Sequence, residues 1–147
     1  MVQNIQEQKR MDSNEHILAC LSSAPSNAKI IRTAARMANA FGSQFTALFV
    51  ETPDFSVASE ENKKRLQENR KLAEQLGANI ETVYGEDIPY QIAEFARISG
   101  ITRIVLGRSA VTRRHLFGKP TLTELLLTYA PDIDIHIIPD KTVNTTY

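Results

Sequence analysis

Two stretches of this chain combine residue types and spacing that could do chemistry. The first is Leu21-Ser22-Ser23-Ala24-Pro25-Ser26-Asn27. Three hydroxyls and an amide precede a helix-like segment, and Ser26 or Asn27 is placed to cap it. Ser22 and Ser23 are left over at the end of an apolar run. They either shape the turn or hydrogen-bond the base or ribose of a ligand. The second stretch runs Gly107-Arg108-Ser109-Ala110, then Val111 to Gly118, then Lys119-Pro120-Thr121. It holds Arg108, Arg113, Arg114 and Lys119 without one acidic residue. It ends at an expected helix start, where free N–H groups and the helix dipole favour an anion. Gly107 allows close backbone approach, and Thr121 adds a hydroxyl beside those N–H groups. These parts suit a phosphate; the competing reading is a surface loop with solvated charges.

Other chemistries lack their parts. No G-x-x-x-x-G-K-[ST] segment is present, and no G-x-G-x-x-G follows the first apolar run. His16 and His136 fall in expected strands and His115 in a loop, without metal-ligand spacing. No serine has a histidine and a carboxylate that sequence alone would pair with it. Glu51 and Asp54 could hold a magnesium ion on a phosphate, but two acids near a loop are a common pattern. The expectation is a binding domain with no catalysis and no resident metal or covalent cofactor.

The elements that must position these loops alternate along the chain. Five apolar runs of strand length are rich in β-branched or aromatic residues: His16 to Leu21, Gln44 to Val50, Asn79 to Tyr84, Arg103 to Leu106 and Ile133 to Ile138. The first, fourth and fifth are nearly continuous in apolar character, as strands buried on both faces are. Between them lie four segments of helical spacing. Asn27 to Phe41 sets Ile31, Ala34, Ala35, Ala38 and Phe41 on one face and stops at Gly42. Ser59 to Leu76 is highly charged, with Leu66, Ala73 and Leu76 as a thin stripe and i,i+4 pairs Glu60–Lys64 and Glu61–Arg65. Asp87 and Pro89 open a third helix, closed by Gly100. Thr121 and Glu124 have capping-box spacing for a fourth, with Leu122, Leu125, Leu126 and Tyr129 inward and Pro131 as its end. Strict alternation argues for a parallel, doubly wound sheet with helices on both sides. In such sheets ligands bind beyond the carboxyl ends of the strands, where the winding reverses.

Composition fits that picture. The 147 residues suit one domain, expected over 15–140, with a leader or linker over 1–14 and a polar tail over 141–147. The formal net charge is zero, which argues against a nucleic-acid binder of basic overall charge. The single cysteine, Cys20, gives no intrachain disulfide, and no apolar stretch approaches the ~20 residues of a membrane helix. A cytoplasmic setting is expected.

The same loops carry a family resemblance. Ser22-Ser23-Ala24-Pro25-Ser26-Asn27-Ala28-Lys29, Phe45-Thr46-Ala47-Leu48-Phe49-Val50-Glu51, Gly107-Arg108-Ser109, Lys119-Pro120-Thr121-Leu122 and Ile133-Asp134-Ile135-His136-Ile137-Ile138-Pro139 occur in order. Over roughly 15–140 the chain resembles the universal-stress-protein-like sensory module of KdpD potassium sensor kinases. The resemblance implies a three-layer α/β/α domain with five parallel strands in order 3-2-1-4-5. It would bring Ser22 and Ser23 beside Gly107, Arg108 and Ser109. It also implies an adenine nucleotide as ligand and a histidine kinase domain, in the same or a partner chain, as partner. Universal stress proteins that bind ATP use Gly-x-x-Gly, nine residues, Gly-Ser/Thr; here those positions are Gly107, Ala110, Pro120 and Thr121. Pro120 lacks an N–H that could have held phosphate. The cyclic di-AMP signature of some relatives is Ser-x-Ser, twenty residues, Phe-Thr-Ala-x-Tyr. The spacing is intact here, with Ser22-Ser23-Ala24 before Phe45-Thr46-Ala47-Leu48-Phe49, but Ala24 and Phe49 lack the two signature hydroxyls. Cyclic di-AMP is therefore expected ahead of ATP. The alternatives are an ATP-binding universal stress protein and a ligand-free dimerisation module that pairs through the edge strand Ile133 to Ile138.

Overall fold

The computed structural model describes residues 14–111 and 118–140. Five strands, β1 (His16–Cys20), β2 (Gln44–Glu51), β3 (Asn79–Tyr84), β4 (Arg103–Gly107) and β5 (Asp134–Ile138), form one sheet in the order β3-β2-β1-β4-β5. Every pairing is parallel. The winding therefore reverses between β1 and β4, as the resemblance implies.

Side chains alternate along each strand, and the two faces build two cores. Ile17, Ala19, Phe45, Ala47 and Val105 pack with Ile30, Ile31, Ala34 and Ala38 of α1 (Asn27–Phe41) and Ala73 of α2 (Glu60–Gln75). Leu18, Leu48, Val50, Ile104 and Leu106 pack on the other face with Ile92, Ala93 and Ala96 of α3 (Ile88–Ile98) and with Leu122 and Leu126 of the last helix. Ile17, Leu18, Ile31, Leu48, Ile104 and Leu126 are fully buried. Truncating one of them to alanine removes about 2–5 kcal/mol of stability.

Local chemistry sets the helix boundaries. Ser59 caps α2 by accepting the Asn62 N–H at 3.1 Å, and Asp87 caps α3 by accepting the Tyr90 N–H at 3.2 Å. Gly42 ends α1 in the left-handed region, φ 60°. Two short elements lie where the sequence shows only loop: a 3-10 turn, Pro53–Val57, and a single helical turn, α4 (Arg108–Val111). The final helix, α5, spans Leu122–Tyr129.

Three side chains depart from the helical pattern. Phe41 is 43% exposed, because the last turn of α1 carries it to the sheet margin. There the Arg103 guanidinium covers its ring at 4.5 Å while pairing with Glu15 at 2.6 Å and Asp134 at 3.0 Å. Tyr129 is also partly exposed and meets Tyr90 edge to face, with ring centroids 6.0 Å apart. Leu76 follows the last turn of α2 and faces a cavity. On α2, Glu61–Arg65 pairs at 2.7 Å as the spacing expects, but Glu60 turns to Lys63 at 3.8 Å instead of Lys64.

Candidate functional site

The loop after β1 is held by two asparagines. Asn27, only 2% exposed, turns back from the first turn of α1 instead of capping it. Its Nδ2 donates to the Cys20 carbonyl at 2.9 Å, and its Oδ1 accepts the Ser22 N–H at 3.2 Å. Ser26 occupies the cap position but makes no side-chain cap bond. From α2, Asn69 Nδ2 donates to the Ser22 carbonyl at 2.8 Å. Buried backbone groups need such partners, so these amides fix the loop. The Ser22 hydroxyl accepts the Ala24 N–H at 3.2 Å and so shapes the turn, while its own proton has no acceptor among the described residues. Ser23 is half-buried, and its hydroxyl has no hydrogen-bond partner among the described residues.

Beyond this loop, at the carboxyl ends of the strands, lies a cleft of about 610 Å³. Cys20, Leu48, Val50, Ile92 and Leu122 give it an apolar floor. Phe49 forms one wall, with Phe55 of the 3-10 turn edge-on to it at 5.2 Å. Ser22 and Ser23 lie on one side; Ala110, Lys119, Pro120 and Thr121 lie on the other. Thr121 caps α5 by accepting the Glu124 N–H at 3.2 Å, and its carbonyl takes the Leu125 N–H at 3.0 Å. The N–H groups of Leu122 and Thr123 have no intrahelical partner. Two carboxylates, Glu86 and Asp87, also border the cleft, and Asp87 is committed to its cap. Burial pushes the Cys20 thiol up to about 12, so it stays protonated and is no nucleophile at neutral pH. No group of three or more metal-ligating side chains occurs among the described residues.

The residues singled out in the sequence divide into three places. Ser22, Ser23, Phe49, Lys119, Pro120 and Thr121 meet at the cleft. Phe45, Thr46 and Ala47 do not. Phe45 and Ala47 are buried in the core against α1, and Thr46 Oγ1 shares a 2.7 Å hydrogen bond with His16 Nε2. A strand rises about 3.3 Å per residue, which sets Phe45 about 13 Å from Phe49. Ala24 is exposed outside the lining.

Gly107, Arg108 and Ser109 form the third place, also outside the lining. Here the protein supplies its own anion. The Asp140 carboxylate, 7% exposed, accepts the Ser109 N–H at 2.9 Å and the Ser109 hydroxyl. A Cβ on Gly107 would collide with Asp140 Oδ2. Gly107 thus makes room for a side chain of the same protein. Burial disfavours the Asp140 charge, but hydrogen bonds from the Ser109 hydroxyl and from backbone N–H groups outweigh it and hold the carboxyl below its usual range. Nothing in the sequence marks Asp140, Asn69 or Phe55 for these positions. Arg113, Arg114 and His115 lie outside the described residues.

The architecture and the sequence both have counterparts. No protein-family model matches the chain. The sensor protein KdpD of Clostridium acetobutylicum is 36% identical over 134 residues, which cover 89% of this chain and 15% of that protein. The chain thus spans less than a fifth of the length of that relative. Among solved structures, a universal stress protein in complex with cAMP superposes with a TM-score of 0.63 at 14% identity, covering 86% of this chain and 98% of the other. A universal stress protein from Archaeoglobus fulgidus in complex with dAMP gives 0.52 at 20% identity, over 84% of this chain and 96% of the other. These likenesses establish the fold.

Proposed function

We propose that this universal-stress-protein-like domain, similar in sequence to a segment of KdpD sensor proteins, binds an adenine nucleotide and acts as a non-catalytic regulatory module. The observation that carries this reading is the cleft at the reversal point of the sheet. Its volume of about 610 Å³ lies in the range of small-ligand sites. Its floor is apolar, the Ser22 and Ser23 hydroxyls stand on one wall, and Lys119 with the start of α5 stands on the opposite wall. An adenine would pack on the floor and against Phe49. Its ribose or ring nitrogens would meet the serines, and its phosphate would meet Lys119 and the N–H groups that open α5.

The position of Asp140 bears on the choice of nucleotide. Its carboxylate occupies the hydrogen-bonding groups of Ser109, where the ATP-type phosphate pattern would begin. A further phosphate placed there would meet a like charge. That supports a ligand without a polyphosphate chain, cyclic di-AMP or a nucleoside monophosphate, ahead of ATP. The nucleotides in complex with the two structural neighbours, cAMP and dAMP, also lack a polyphosphate chain and fit the same preference. In this reading 15–140 forms the binding domain and works in the cytoplasm. Nucleotide stabilises one of its conformations and so regulates a histidine kinase that controls potassium uptake.

The test is a thermal-shift series with cyclic di-AMP, AMP and ATP. A ligand at ~100 times its dissociation constant adds about 2.7 kcal/mol of stability. Ser23→Ala and Lys119→Ala should each reduce the shift. No stabilisation by any of the three would remove the proposal. One observation favours a second reading, a dimerisation module without ligand: β5 is an edge strand, and its Ile137 is 51% exposed. Solution mass with and without nucleotide separates the two.

A further inference from the structure

A second cavity, about 720 Å³, opens at the opposite edge of the sheet. It lies at the amino-terminal starts of β1, β2 and β3, beside the second half of α1 and the end of α2. Arg32, Arg36, Asn39, Ser43, Gln44 and Asn79 supply most of its polar lining, and no aspartate or glutamate among the described residues lines it. Ser43 is 2% exposed, and its Oγ is the one buried side-chain nitrogen or oxygen among the described residues without a hydrogen-bond partner. An unmet buried hydroxyl costs roughly 1–3 kcal/mol, so proteins seldom leave one without purpose. The Ser43 N–H donates to the Ala38 carbonyl at 2.9 Å, which ties the residue to the cavity wall.

The charge of the cavity is set by α1. Helix ends of this kind usually present bare carbonyls and a partial negative charge. Here several of them are closed: Asn39 O accepts from Gly42 at 3.3 Å, Ala73 O from Ala78 at 2.9 Å, and Glu74 O from Gly77 at 3.0 Å. Arg32 and Arg36 lie one turn apart on the same helix face. Neither forms an ion pair among the described residues, and Arg36 makes only a long 3.4 Å contact with Thr33 Oγ1. Two unneutralised guanidinium groups therefore border a space whose other polar groups are amides, hydroxyls and one imidazole.

We propose that this cavity is a second ligand site, which takes a small organic oxyanion. Guanidinium groups pair well with carboxylate and phosphate oxygens. Ser43 lines the same cavity, and a turn of its side chain would bring its unmet hydroxyl, which is closed off from solvent in the unliganded protein, to the same anion. Ala35, Phe45 and Leu76 offer an apolar wall for the body of the molecule. The site is separate from the nucleotide cleft, since the eight residues of β2 lie between them.

The experiment is a titration of the full ¹⁵N-labelled chain, followed by amide and arginine Nε resonances. The probes are phenyl phosphate, benzoate and sodium chloride at matched ionic strength. The first two distinguish a phosphate ester from a carboxylate. The expected result is saturable movement of the Ser43, Gln44 and Arg36 signals by at least one organic probe, at concentrations at least tenfold below any effect of chloride. The double variant Arg32→Ala/Arg36→Ala, on an exposed helix face, should keep its circular dichroism and lose at least tenfold in affinity. Ser43→Ala should weaken the probe yet raise the melting temperature of the unliganded protein. Equal, non-saturating shifts from all three salts would overturn the proposal. So would binding that survives the double arginine variant, or a lower melting temperature for Ser43→Ala. Nucleotide binding reads at Ser23 and Thr121 instead, so either proposal can fail alone.

Discussion

Replacing Asp140 should destabilise the domain in a way that depends on pH. The carboxylate accepts the Ser109 N–H at 2.9 Å and the Ser109 hydroxyl while only 7% exposed. Hydrogen bonds to a charged group contribute about 1.5–3 kcal/mol each, and the burial of the charge offsets part of that. A net loss of about 2–3 kcal/mol follows for Asp140→Ala, or a melting temperature lower by about 6–10 °C at this chain length. The pH dependence has a definite sign. Hydrogen bonding holds the folded-state carboxyl below its ordinary value. Its contribution is therefore present above the unfolded pKa and is lost as pH falls through the folded one. Thermal melts of wild type, Asp140→Ala and Asp140→Asn at pH 7, 5, 4 and 3 check this. The gap between wild type and Asp140→Asn should be full at pH 7 and close from about pH 4 downward. Equal melting temperatures at pH 7, or a gap that ignores pH, would refute the reasoning.

Gly107→Ala should act through the same contact, because its Cβ would collide with Asp140 Oδ2. Its cost should match that of Asp140→Ala, and the double variant should cost little more than either single one, as a double-mutant cycle by denaturation would show. Asn27→Ala leaves the Cys20 carbonyl and Ser22 N–H without their partner. It should lose about 2–4 kcal/mol in urea unfolding and abolish nucleotide affinity through the displaced serine loop. Arg103→Ala removes the ion pairs to Glu15 and Asp134 and the cover over Phe41. A loss of about 1–2 kcal/mol is expected by denaturation, with Arg103→Lys recovering less than half of it. Phe49→Tyr adds a hydroxyl at the cleft wall and should tighten cyclic di-AMP about fivefold by calorimetry.

Alternation of strand-length apolar runs with segments of helical spacing was enough to read the five strands and four main helices, because run length, β-branched content and a period of 3.6 are direct imprints of the layers. The strand order came from the resemblance, since spacing alone does not order parallel strands. Phe41 and Tyr129 mark the limit of periodicity. It gives the face of a helix but not where the helix outruns the sheet. The single turn α4 is too short to leave a periodic pattern. The lining of the candidate cleft was legible where a loop serves as a unit, as with Ser22-Ser23 and Lys119-Pro120-Thr121. It was not legible where a motif lies along a strand. Phe45, Thr46 and Ala47 are sequence neighbours of Phe49, yet an extended backbone carries them into the core and toward the other edge. Asn27 reads as a helix cap by type, but its amide finds two backbone partners in the preceding loop instead. Asp140 lies 31 residues from Ser109, and only the pairing of β5 with β4 brings them together.

The location of bound nucleotide tests the central claim most directly. A crystal of the chain with cyclic di-AMP or AMP should show the base over Leu48 and Ile92 against Phe49, its polar edge at Ser22 or Ser23, and a phosphate at Lys119 and the start of α5. Nucleotide seated elsewhere on the protein, or a cleft still empty at saturating concentration, would contradict the assignment.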